Sequence, residues 1–248
     1  MDVVFVMVLL GAAAAGFAQG LSGFAFAMIS MSFWAWVLEP QTSAVLVVVC
    51  SLIGQLMTIK TARAGFDWRR IMPFLMGGVM GVPIGALIIL PWIDQSIFRV
   101  VLGAFLLFWS GSMLFIGPSF RIKTQNHTLD GGIGIVGGIM GGLGGLAGAI
   151  PTLWCSVKRW DKSAQRAVIQ SFNLSMHIVT LTTYILSGLL TAETTKWLVV
   201  AVPAMLIPSM IGNRLYAKIS DAAFRRLVLV LLFLSGVLLL GTTLPRVL

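Results

Sequence analysis

The sequence predicts an all-α polytopic membrane protein of two inverted repeats. Each repeat is a glycine-rich broken or re-entrant helical element plus three transmembrane helices, about eight hydrophobic elements in all. Three observations predict it. The 248 residues are 58% apolar and 10% charged, with a mean hydropathy of +0.99, whereas soluble domains carry about a quarter charged residues. Apolar runs of about 20 residues, the length of a membrane span, recur from end to end. A glycine-rich pattern occurs twice, 122 residues apart, with opposite charge bias in the loops that follow.

In chain order, Val3 to Leu38 is one apolar run. As a straight helix it would be about 54 Å long against a hydrocarbon core of about 30 Å. It can break at GAAAAGFAQGLSGF (Gly11 to Phe24), giving either a re-entrant hairpin or two short full spans of the same parity. The N-terminus lacks a basic n-region and a polar break for cleavage, so it reads as the first membrane element. Thr42 to Ile59, Ile71 to Trp92 and Ile97 to Ile116 are the next spans, with a basic loop at Lys60, Arg63, Arg69 and Arg70. A polar linker, 121–130, separates a first repeat (1–120) from a second (131–248). The second opens on GGIGIVGGIMGGLGGLAGAIP (Gly131 to Pro151), in which ten residues are glycine. Such density weakens a regular helix and allows close approach of backbone or ligand. KRWDK (Lys158 to Lys162) closes that element, and spans follow at Ala164 to Leu190, Trp197 to Asn213 and Ala222 to Leu244.

Shifted by 122, Gly16, Gly20, Leu21, Gly23, Ala25 and Ala27 fall on Gly138, Gly142, Leu143, Gly145, Ala147 and Ala149. If each glycine-rich element returns to the side it came from, all but Arg99, Lys196 and Arg246 of the 17 Lys and Arg share the cytoplasmic face. Eight simple crossings would leave no bias at all. The net charge of +9 is then positive-inside bias. No basic stripe with interleaved aromatics suggests nucleic acid. Cys50 and Cys155 lie in apolar sequence and suggest no disulfide framework. The methionines read as packing fill, and no ligand cluster or nucleotide motif points to a metal, a cofactor or ATP.

Half-helix N-termini carry positive partial charge, which suits an anion at the midplane of an inverted-repeat transporter. The candidate substrate-binding set is Gln19, Gly20, Ser22 and Gly23 in the first element and Gly141, Gly142, Gly144 and Gly145 in the second. The following spans add Ser51 and Gln55, and Asn173 and His177, each pair four apart on one helix face. The alternative is that the glycines serve helix packing and the polar residues are interhelical glue. Arg166, one turn into its span, reads as a positive-inside or snorkelling residue. An enzyme reading pairs Ser22, in a GxSG, with His177 as in rhomboid-like intramembrane serine proteases. Ser22 matches Gly144, however, so the pattern is a backbone feature and no catalytic residue is expected. An anion channel using the same site is the other alternative.

GGIMGGLGGLAGAIPTL (Gly137 to Leu153), the earlier G-x-x-x-G-x-x-G at Gly16 to Gly23, and the two four-element halves resemble the TauE/SafE family of sulfite exporters. The resemblance covers essentially the whole chain. It implies a multi-pass secondary transporter of the bacterial inner membrane that moves sulfite or an organosulfonate, usually outward. The inverted repeats add alternating access around the central site, with protons or sodium as candidate coupling ions. The partners implied are a small anion and lipid, with the oligomer left as monomer or homodimer. The first repeat departs from the pattern at Ser22, Phe24 and Phe26, and at Ile29 where the second has Pro151.

Overall fold

The computed structural model describes residues 2–23, 25–58, 66–115, 126–158, 160, 162–215 and 221–247. Phe24 and the loop charges Lys60, Arg63, Arg121, Lys123, Arg159, Asp161 and Lys218 lie outside them. The described residues form ten helices and no strand: α1 (Val3–Ser22), α2 (Phe26–Trp34), α3 (Pro40–Thr58), α4 (Trp68–Pro83), α5 (Gln95–Phe115), α6 (His127–Gly144), α7 (Ala149–Val157), α8 (Lys162–Leu186), α9 (Ala192–Leu215) and α10 (Asp221–Val247). A π-helical turn, Ile84–Ile89, extends α4 beyond Pro83. The fold is all-α and polytopic. Among the described residues, α1, α3, α4 with its π turn, α5, α9 and α10 are long and apolar enough to cross a membrane. Two assignments differ from the sequence reading. α8 has 25 residues but carries too many polar ones to be among these six. α1 is 20 residues long, enough for the short full span that the sequence left open. α6 also starts at His127, inside the expected linker.

Each glycine-rich element folds back on itself. In the first, Trp34 at the end of α2 donates its indole N–H to the Val8 carbonyl near the start of α1 at 3.2 Å. In the second, Trp154 of α7 donates to Asp130 Oδ1 in the first turn of α6 at 2.7 Å. Lys158, just past α7, pairs with the same carboxylate at 2.5 and 2.7 Å. Val8 and Asp130 are 122 apart. A buried charge needs a partner and hydrogen bonds. Lys158 has both, with its ammonium 4.4 Å from the centre of the Trp160 ring.

The expectation that the glycines break up the helix holds only at its end. α6 runs unbroken through Gly131 to Gly144 because most of these glycines are packing surface. Gly77 and Gly81 on α4, and Gly85 in the π turn that extends it, lie against the α6 backbone at Gly131, Ile135 and Ile139. On α6, Gly134, Gly138 and Gly142 lie against the α4 backbone at Phe74, Gly78 and Val82. A Cβ at any of them would run into main chain, so two helices meet backbone to backbone along small-xxx-small rows. The α1–α9 contact is similar: Gly16 faces Met205, Gly20 faces Ser209 and Gly212 faces Phe17. So α1 packs on α9 and α6 on α4, each broken element against a helix of the other half of the chain. α3 packs on α8 and α5 on α10.

Candidate functional site

Both elements break at a left-handed glycine: Gly23 at φ 82° and Gly145 at φ 71°. L side chains rarely adopt this conformation. The Gly145 N–H bonds to the Gly141 carbonyl, an αL cap, and the Leu146 N–H bonds to the Met140 carbonyl. Gly23 makes the matching bond to Gln19. Beyond each break a nine-residue half-helix begins, α2 at Phe26 and α7 at Ala149. Their N-termini, with the positive end of each dipole, start inside the protein.

The first break is surrounded by amides. The Gly23 carbonyl accepts from Gln55 Nε2 at 2.7 Å and Gln19 Nε2 at 3.3 Å. Gln19 Oε1 accepts the Phe26 N–H at 3.2 Å. Ser22 donates to the Ala18 carbonyl at 2.8 Å and accepts the Ala25 N–H at 3.1 Å. Its hydroxyl therefore serves the local turn. Gln170 of α8 comes within 2.7 Å, and Arg166 within 3.9 Å, of where a Gly23 Cβ would stand.

The second break is set differently. Gly145 faces Val47 and Val48 of α3, and Gly144 faces the Met31 methyl of α2. Gly141 faces Ala147 in its own hairpin, and the Gly142 carbonyl accepts the Tyr184 hydroxyl at 2.6 Å. The Asn173 amide lies directly on Gly148, the residue that opens α7. Buried atoms with no hydrogen-bond partner include Ser51 Oγ, Asn173 Oδ1, His177 Nδ1, Thr152 Oγ1 and Thr180 Oγ1. The residues that carry them are at most 8% exposed.

Of the sequence-predicted residues, Gln19, Ser22, Gly23 and Gln55 come together at the first break, and Gly144, Gly145, Asn173 and Gly141 belong to the second. Gly20 and Gly142 sit in helix packing. Sequence reasoning missed Thr152 and Gln170. Gln170 belongs to a stripe on α8 (Arg166, Gln170, Asn173, His177, Thr180, Tyr184) at steps of four and three, one helix face. That spacing was there to find. The repeat gives it no polar match, because Gln170 falls on Val48. Among the described residues no group of three His, Cys, Asp or Glu could hold a metal.

Two nine-residue half-helices thus begin inside the protein just beyond left-handed glycines, beside buried polar side chains. A family model described as "Sulfite exporter TauE/SafE" matches residues 8–239. The chain belongs to the TauE/SafE family. This is a family of membrane transporters, and the match spans both broken elements and every span between α1 and α10. No curated protein and no solved structure matches the chain.

Proposed function

We propose that this TauE/SafE protein is a secondary transporter that exports a small sulfur-containing oxyanion, sulfite or an organosulfonate, across a bacterial inner membrane. The observation that carries the reading is the pair of half-helix N-termini, α2 and α7, each opening just beyond a left-handed glycine. Such ends stabilise an anion without a buried counter-charge. Backbone N–H groups there, with Ser51, Asn173 and His177, replace part of the anion's hydration. Gln19, Ser22 and Gln55 shape the first break. The two halves, 1–120 and 131–248, are inverted repeats, and access alternates as one set of spans rocks against the other. Both hairpins are re-entrant, which puts Lys158 and Arg214 on the cytoplasmic face and Arg99 and Lys196 outside. His177 is the candidate proton carrier, being the titratable side chain deep within α8.

Thermal unfolding of the purified protein with sulfite, sulfoacetate, taurine, thiosulfate or sulfate tests the reading. A ligand at 100 times its Kd stabilises by about 2.7 kcal/mol. Sulfite or a sulfonate is expected to raise Tm in a concentration-dependent way. No shift with any of the five contradicts the proposal.

A further inference from the structure

Arg99 is one of the three basic residues that the charge count puts outside. From the second turn of α5, its guanidinium donates to the Ala35 carbonyl at 2.8 Å and to the Trp36 carbonyl at 3.0 Å. It also stands 5.7 Å from the centre of the Trp36 ring. Gln95, one turn earlier, donates to the Leu38 carbonyl at 3.1 Å. These carbonyls lie just past the last residue of α2, where a helix carries negative partial charge and needs outside donors.

Ten residues further along the same helix, Trp109 is 3% exposed and donates its indole N–H to the Ala149 carbonyl at 2.7 Å. Ala149 is the first residue of α7. α5 therefore grips the end of the first hairpin and the start of the half-helix in the second. The grips are about 15 Å apart along its axis. Between them α5 is one unbroken helix without proline, packed at Gly103 on Gly236, Leu239 and Leu240 of α10.

The repeat does not reproduce this brace. Shifted by 125, Leu102, Leu106, Leu107, Phe108, Ser110 and Gly111 meet identical residues on α10, but Arg99 falls on Phe224 and Trp109 on Leu234. Leu234 is 51% exposed. The second hairpin is closed at its far end by its own Asp130–Lys158 pair instead. A cross-brace present on one helix and missing from its copy is not demanded by the fold that the two halves share.

We infer that α5 couples the two broken elements: a displacement of the first hairpin is carried along α5 to Trp109, a positioning residue for the start of α7. This rests on the transport reading above and says how the two breaks are kept in step. Releasing the grip at Arg99 is then felt at α7.

Hydrogen–deuterium exchange of the purified full-length chain, together with sulfite exchange in proteoliposomes, tests the coupling. Trp109→Phe keeps an aromatic ring but loses the N–H, and should speed amide exchange over residues 152–154 about fivefold. Arg99→Met should also speed exchange at 152–154, about 15 Å from the altered side chain, as well as around 35–38. In the double variant, exchange at 152–154 should match Trp109→Phe alone, whereas distant and unconnected bonds act independently. Sulfite exchange should slow in all three variants, the double being no slower than the slower single. Arg99→Met that speeds amide exchange only around 35–38 overturns the inference, and so does a double variant in which the effects at 152–154 multiply. Wild-type vesicles that pass no sulfite overturn the transport reading, and the amide exchange then decides the coupling by itself.

Discussion

Gly23 and Gly145 are two of the few glycines in this chain whose backbone angle, as well as their size, is required. Both sit at positive φ at the end of a helix whose next residues start a second one. Gly145→Ala brings a left-handed alanine, worth about 1–2 kcal/mol, and a Cβ 2.6 Å from a Val47 methyl. Gly23→Ala meets the same backbone cost, but its Cβ faces the movable Gln170 amide at 2.7 Å. We expect both to lower Tm, and Gly145→Ala the more, in thermal unfolding of the purified variants. These two positions were legible in the sequence, because the 122-residue shift superposes them. Which neighbouring glycines pack and which break was not legible. That depends on whether another helix crosses at that height, and composition carries no such information.

At the scale of the element, the second hairpin is held at one end by a tight turn and at the other by an ion pair. Asp130 and Lys158 are 2 and 3% exposed, and Trp154 satisfies part of the carboxylate. Asp130→Asn strands a buried ammonium, and removing one partner of such a pair costs about 3–5 kcal/mol. Loss of that size is expected in denaturant unfolding, with a smaller loss when Lys158→Met is added. The glycine rows give a sharper contrast. Gly132 has open space where its Cβ would be, so Gly132→Ala should stabilise α6 by about 0.5–1 kcal/mol. Gly138→Ala, which meets the Gly78 backbone, must separate α4 from α6 and should lower Tm markedly. A uniform response along α6 would contradict the packing account. The ion pair was invisible in the sequence. Asp130 read as the end of a polar linker and Lys158 as a positive-inside residue, and nothing local joins groups 28 positions apart. The polar stripe of α8 was legible in its spacing, whereas Thr152 was not, because one threonine in an apolar helix has the satisfied carbonyl of the preceding turn as its ordinary partner.

At the scale of the whole molecule, α1 lies on α9 and α6 on α4, so each glycine-rich element packs across onto the other half. A rocking motion in which hairpin and crossing helix move together keeps these backbone contacts intact and leaves the α3–α8 contact to rearrange, beside the breaks. The proposed sidedness is open to labelling. Glu39→Cys should react with an impermeant maleimide from outside and Lys162→Cys from inside, while Cys50 and Cys155 are buried and should contribute little background. Labelling of both from one side contradicts the re-entrant arrangement. The central claim is transport of a sulfur oxyanion around the two breaks, and flux reports on it most directly. In proteoliposomes loaded with radiolabelled sulfite, efflux should saturate with internal concentration, speed up when unlabelled sulfite is present outside, and fall to the protein-free rate in Asn173→Ala. Efflux that stays linear with concentration, or that Asn173→Ala leaves unchanged, would contradict the account.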